Sequence, residues 1–184
     1  ALVRWAAPVL VFTAEEVYDL ALKGDVLIRG WGSTLLLRAV PHIPCIRVCA
    51  PFEDRVRSLM QRLDTDDEAF IRDEIERSDE AHAAAMQARF HVKWGDPLLY
   101  DLTLNTGRVS IASCVEQVIA LARRPEFQES DASRAKLGSL ALEARVRAAF
   151  VAHDPTANVE VTVIAEGDRV TLRGMVRDEG ERKH

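Results

Sequence analysis

The sequence predicts an α/β fold with a doubly wound, mainly parallel sheet, followed by a small C-terminal α+β module of αββ order. Short apolar runs alternate with amphipathic helical stretches through the first two thirds of the chain, which is typical of a parallel sheet covered on both faces. A polar stretch that contains Pro125 interrupts this pattern. Beyond it, one helical stretch precedes two runs that alternate apolar and polar residues, as the strands of an antiparallel hairpin do.

The first helix is predicted between a capping box and a glycine. Thr13 and Glu16 have capping-box spacing, in which the two side chains satisfy amides at a helix start. Gly24 is a usual residue just beyond a helix end. Two nearly continuous apolar runs then predict strands that are buried on both faces, Val26–Ile28 and Ile46–Ala50.

Helical periodicity predicts three further elements before the polar stretch. Pro51 suits the first position of a helix that continues to about Leu63, and an acidic helix is expected over about 66–90. A strand over 102–105 and a helix over 110–123 follow. The residues that periodicity turns inward in these three helices are Val56, Leu59, Met60, Leu63, Phe70, Ile71, Ile75, Met86, Ile111, Val115, Val118, Ile119 and Ala122.

The C-terminal part is predicted to be a separate small module. A helix is expected over about 140–152, and the alternating runs at 158–164 and 169–174 predict a hairpin around a Glu-Gly-Asp turn. The predicted division is a first domain over 1–124, a linker over 125–138 and a module over 139–184.

Composition excludes several function classes. Lysine and arginine number 24 against 29 aspartate and glutamate, a formal charge of −5 with the signs interspersed, so no nucleic-acid partner is expected. No apolar run has the length of a membrane span and no secretory signal is recognisable, so a cytoplasmic location is expected. Cys45, Cys49 and Cys114 are an odd number of cysteines, which argues against a disulfide framework. Cys45 and Cys49 would lie about 13 Å apart on a strand, too far to share a metal.

Five short motifs occur in a fixed order between about Leu20 and Arg123. They are Leu20–Ile28, the Gly30-Trp31-Gly32 turn, Ile46–Val56, Trp94–Leu102 and Asn105-Thr-Gly-Arg108. In these motifs and their order the chain resembles the cytidylate-kinase-like family of P-loop nucleoside monophosphate kinases. The resemblance implies a P-loop kinase fold, incomplete here, and a nucleoside monophosphate as the ligand.

The sequence departs from the pattern that this resemblance implies at three places. No stretch reads Gly-x-x-x-x-Gly-Lys-Ser/Thr, and no glycine precedes Gly24, so no phosphate-cradling loop is predicted. The glycine turn carries Trp31 where the family has an arginine. The acidic helix carries Asp79 followed three residues later by His82, where the family has a second arginine. ATP and Mg²⁺ are expected as cofactors only if a P-loop lies upstream.

The candidate nucleotide-binding residues lie in these motifs, and each has an alternative interpretation. Arg29 could contact a phosphate or pair with a surface carboxylate, and Trp31 could stack on a base or fill space. Ser33 could instead cap a helix that begins at Leu35. His82 could titrate near neutral pH or be a solvated residue. The full set is Arg29, Gly30, Trp31, Gly32, Ser33, Asp79, His82, Asn105 and Arg108; no catalytic residue or metal ligand is predicted.

The segment after the polar stretch resembles the first part of a BON domain. Glu143–Phe150 and Gly167–Val176 carry this likeness. Such modules usually continue with another helix and strand, so the module is expected to be partial.

Three functions follow as hypotheses. The first is a degenerate nucleotide-kinase-like domain that acts as a binding or regulatory module with weak or no phosphotransfer. The second is the C-terminal portion of an active cytidylate-type nucleoside monophosphate kinase whose P-loop lies upstream. The third is a structural protein that self-associates through the open edge of the hairpin strand at 169–174, because an unfinished sheet leaves backbone groups unpaired.

Overall fold

A computed structural model of the chain describes residues 14–30, 32–152, 161–167 and 169–174. The chain divides into two compact units, one made of residues 1–36 and 129–184 and the other of residues 37–128. The predicted boundaries between a kinase-like domain, a linker and a BON-like module stay a prediction. No helix in the described part of the chain combines the length and the apolar character that crossing a membrane requires.

The described residues form six α-helices and four β-strands. The helices are α1 (Ala14–Leu22), α2 (Ser33–Leu37), α3 (Phe52–Leu63), α4 (Glu68–Phe90), α5 (Ile111–Ala122) and α6 (Asp131–Ala152). The strands are β1 (Ile46–Cys49), β2 (Leu102–Asn105), β3 (Val161–Glu166) and β4 (Arg169–Gly174). Two short 3₁₀ helices cover Pro97–Leu99 and Pro125–Phe127.

In the 37–128 unit, β1 and β2 pair in parallel, and α3 packs against α4. The strand register runs from Ile46 opposite Leu102 to Cys49 opposite Asn105. The contact between the two helices has a buried centre of Val56, Ile71 and Ile75. The predicted strands at 46–50 and 102–105 and the predicted helices from 52 to 123 are therefore confirmed within a few residues.

Several side chains predicted to point inward are instead exposed. They are Leu63, Phe70, Ile111, Val115, Ile119 and Ala122, together with Val48 on β1. The buried position of α5 is Cys114. Among the described residues the parallel sheet has only two strands, so it offers too little surface to cover every apolar face. The expectation that the strands are covered on both faces was wrong for β1, and the doubly wound sheet is not confirmed.

The segment Val26–Ile28 was wrongly predicted as a strand. The structure gives it no regular secondary structure, and the Leu27 side chain is 78% exposed. A strand needs a neighbour to accept its backbone hydrogen bonds, and no described strand pairs with this segment.

In the other unit, α1 packs against α6, and α6 packs against the β3–β4 hairpin. The antiparallel hairpin was predicted correctly, with Glu166 opposite Arg169; residues 158–160 of its predicted first strand lie outside the described residues. The helix α6 begins at Asp131, nine residues before its predicted start. Ser130 and Ser133 explain the earlier start, because each hydroxyl accepts a hydrogen bond from the other residue's amide.

Two side chains of α6 bind the edge of β3. Glu143 Oε1 accepts a hydrogen bond from the Ala165 amide at 3.0 Å, and Arg147 Nη2 donates to the Val163 carbonyl at 3.2 Å. Arg147 also pairs with Glu143 at 3.2 Å. These side chains satisfy backbone groups that a further strand would otherwise use.

Candidate functional site

The carboxyl ends of β1 and β2 meet at one edge of the sheet, which is where open α/β sheets bind ligands. The predicted site residue Asn105 ends β2, and its Oδ1 accepts a hydrogen bond from the Gly107 amide at 3.0 Å. Its carbonyl accepts from the Arg108 amide at 3.1 Å, and the Thr106 amide donates to the Cys49 carbonyl at 2.9 Å. The turn is therefore closed by its own bonds, with the Arg108 side chain exposed.

The same turn lies directly against the start of α3. A Cβ atom placed on Gly107 would come within 2.6 Å of Pro51 Cγ and 2.7 Å of Asp54 Oδ2. Both distances are well below van der Waals contact, so only glycine lets the backbone approach this closely. The close approach fixes where Arg108 leaves the sheet edge.

Asp79 is not open to a ligand, because a cation from the neighbouring helix already holds both of its oxygens. Arg55 Nη1 donates to Asp79 Oδ2 at 2.6 Å, and Nη2 donates to Oδ1 at 2.8 Å. Both side chains are half-buried between α3 and α4, and the hydrogen bond to Asp79 raises the pKa of Arg55. Bidentate pairing of this kind is the strongest form of an arginine–carboxylate contact.

The other cations in the first part of α4 are neutralised in the same way. Arg72 pairs with Glu53 and Glu68, and Arg77 pairs with Asp73 and Glu74. The helix Glu68–Phe90, all of it described, carries six carboxylates against three arginines. The net negative charge of α4 therefore produces an electrostatic field that disfavours the binding of a phosphate.

His82 is not a fully solvated residue, because it lies beside Ser78 and the Trp94 ring. Its Nδ1 lies 3.3 Å from Ser78 Oγ, and its ring centroid lies 6.4 Å from that of Trp94. The guanidinium of Arg47 lies over the Trp94 and Tyr100 rings, at 5.0 Å and 5.5 Å from their centroids. Burial raises the pKa of Tyr100, and the nearby Arg47 charge opposes this rise.

In the other unit, the glycine turn leads into α2. Ser33 is buried, and its Oγ donates to the Gly30 carbonyl at 2.9 Å. The Leu35 and Leu36 amides donate to the Gly32 carbonyl, so the helix begins two residues before Leu35 and Ser33 does not cap it. Arg29 is exposed and forms no ion pair with any described residue. Trp31 lies outside the described residues.

Sequence reasoning missed two features of the 37–128 unit. The pairing of Arg55 with Asp79 was not predicted, because no local pattern points to a partner 24 residues away. A cavity of about 210 Å³ at the amino ends of the strands was also not foreseen; Arg38, Cys45, Asp101 and Phe127 are among its lining residues. Burial, together with the Asp101 charge, raises the pKa of the Cys45 thiol to about 11, which disfavours its thiolate form at neutral pH.

Residues 7–108 match the model of the family described as "Cytidylate kinase-like family", which is more than half of the 184 residues. The chain belongs to the cytidylate kinase-like family. No curated protein and no solved structure matches the chain. The matched range of this cytidylate kinase-like protein includes all nine predicted site residues, in both compact units.

Proposed function

We propose that this cytidylate kinase-like chain is a nucleotide-binding or regulatory module with weak or no phosphotransfer activity of its own. The observation that carries the proposal is the pairing of Asp79 on α4. Arg55 binds both oxygens of this carboxylate. Three residues after Asp79 the chain has a histidine, at a position where the resemblance implies an arginine. The acidic helix therefore supplies no spare guanidinium at the position that should hold a phosphate.

The charge balance of α4 explains why phosphoryl transfer is disfavoured. Transfer depends almost entirely on positioning and on cations that stabilise the phosphoryl oxygens. The histidine at position 82 leaves one expected arginine contact unmade, which is worth about 1.5–3 kcal/mol of charge-assisted hydrogen bonding. This loss corresponds to roughly one to two orders of magnitude in affinity or rate.

Weak binding of a nucleoside monophosphate remains compatible with the described residues. Arg108 leaves the carboxyl edge of the parallel strands without a carboxylate partner among the described residues, and Asn105 shapes the turn that presents it. A monophosphate carries fewer charges to neutralise than a triphosphate, so one guanidinium can be enough to hold it weakly.

Calorimetric titration with CMP, CDP and ATP tests the proposal. The expected result is weak heat with CMP and no micromolar affinity for ATP. The His82→Arg variant should tighten CMP binding about tenfold, by restoring one charge-assisted contact. The matched control is Gln87→Arg, which adds the same charge at an exposed position of the same helix and should leave the affinity unchanged.

Two outcomes would count against the proposal. If both variants tighten CMP binding equally, the added positive charge governs the affinity and its location at position 82 does not. Micromolar affinity for ATP, accompanied by phosphorylation of CMP, would instead favour the active-kinase hypothesis.

A further inference from the structure

The helix α5 carries an apolar face that stays largely exposed among the described residues. The side chains of Ile111, Val115 and Ile119 are 74%, 51% and 43% exposed. They recur every four residues, so they form one row along the helix. Soluble monomers rarely leave a contiguous apolar row of this kind uncovered, so the face indicates an interaction site.

Two parallel rows make up this face, and a cation follows each of them. The first row continues to Arg123, which keeps helical backbone angles. The second row consists of Ala112, Glu116 and Ala120, and exposed Arg124 follows it just beyond the helix end with an extended backbone. The small alanine side chains let another helix approach closely beside the larger apolar row.

The charges on this face are complementary to those of a second copy of α5 that runs in the opposite direction. Glu116 lies seven and eight residues before Arg123 and Arg124, about two helical turns or roughly 11 Å. None of these three side chains forms an ion pair with a described residue. When a second copy of α5 runs in the opposite direction, with Ile119 and Ala120 at the crossing point, Glu116 of each helix faces Arg123 and Arg124 of the other.

We propose that α5 is the interface of a two-fold symmetric dimer, in which the exposed rows of two copies of this chain pack antiparallel. The interface is isologous, so each contact occurs twice. Its centre is apolar, and its two ends carry reciprocal Glu116–arginine pairs. This inference is independent of nucleotide binding and uses a surface other than the hairpin edge.

Sedimentation velocity of charge-reversal variants tests this interface. It is measured on the full chain over a range of micromolar concentrations. The Glu116→Arg variant and the Arg123→Glu/Arg124→Glu variant each place like charges opposite one another. Each variant alone should dimerise at least tenfold more weakly than the unmodified chain. An equimolar mixture of the two should restore dimerisation, because both ends of the mixed dimer then carry opposite charges.

A matched control and an apolar variant complete the test. Glu80→Arg reverses an exposed charge on α4 and should leave dimerisation unchanged, whereas Ile119→Ser should weaken it. All substituted side chains are exposed, and circular dichroism will verify that each variant is folded. A monomer at every concentration would overturn the proposal, and so would a dimer that the α5 variants do not weaken or that the mixture does not restore.

Discussion

Gly107 is a residue at which the structure leaves no room for a side chain. Its backbone lies against Pro51 and Asp54, which join the end of β1 to the start of α3. The glycine therefore couples the turn that presents Arg108 to the neighbouring helix. The sequence motif Asn-Thr-Gly-Arg indicated a turn here, but it could not indicate which atoms the glycine approaches, because those atoms lie more than 50 positions earlier in the chain.

The Gly107→Ala substitution should destabilise the protein by about 1–3 kcal/mol, because the added methyl group must displace Pro51 or Asp54. The control is Gly138→Ala in α6, where a Cβ atom meets nothing within 4 Å. This control should stabilise the protein by roughly 0.5–1 kcal/mol, as alanine favours the helix. Urea unfolding measures both, and a stabilising effect at 107 would contradict the described close approach.

The Cys45 thiol should react more slowly than the Cys49 thiol. Its pKa is raised from 9.0 to about 11, which lowers its thiolate fraction roughly 100-fold at neutral pH. Alkylation by iodoacetamide followed by peptide mass mapping should label half-buried Cys49 first, and the two should react alike in urea. Labelling of Cys45 as fast as Cys49 in the folded protein would refute this prediction.

The raised pKa of Cys45 also makes the stability of the protein depend on pH. Because the folded pKa is raised, the stability that Cys45 contributes is present below pH 9 and is lost as the pH rises through about 11.

At the scale of elements, the helices could be predicted from the sequence far better than the surfaces they bury. The stripe Val56, Leu59 and Met60 was correct because α3 packs on α4, and a partner helix is close in the chain. The stripe on α5 was wrong because burial depends on a partner surface that periodicity does not specify. The start of α6 was missed since a pair of serines can cap a helix as a Ser/Thr–Glu box does.

The pair Arg55–Asp79 should stabilise the contact between α3 and α4. A double-mutant cycle with Arg55→Ala and Asp79→Ala should give a coupling energy of about 1 kcal/mol, since the pair is bidentate but only half-buried. The exposed pair Arg77–Glu74 within α4 is the control, with a coupling of about 0.3 kcal/mol. Equal couplings for both pairs would show that the interhelical contact adds nothing.

The side chain of Glu143 should hold β3 to α6. Glu143→Ala leaves the Ala165 amide and the Arg147 guanidinium without this acceptor, which should cost about 1–3 kcal/mol in urea unfolding. The comparison is Glu129→Ala, which removes an exposed pair with Arg134 and should cost less than about 1 kcal/mol. A Glu143 variant as stable as the Glu129 variant would contradict the role assigned to this carboxylate.

At the scale of the whole molecule, the described residues contain two small sheets of two strands each. The alternation of apolar runs and helices predicted the parallel strands β1 and β2, and the period-two alternation of apolar and polar residues predicted the hairpin β3–β4. It also wrongly predicted a strand at Val26–Ile28, because a strand exists only with a distant partner that a local pattern does not reveal. The candidate site residues came from motif positions and stay a prediction, whereas the pairing of Asp79 could not be predicted, since ion pairs such as Arg55–Asp79 form between helices.

The account depends on one electrostatic claim, that the positions at which the family resemblance implies arginines, Trp31 and His82, supply no guanidinium for phosphoryl transfer. Formation of ADP from ATP in the presence of CMP and Mg²⁺, followed in a coupled assay, tests the claim directly. The account predicts little or no ADP above the rate without protein, even at saturating CMP. Rapid, sustained ADP formation in proportion to the amount of this chain, abolished by omitting CMP, would contradict it.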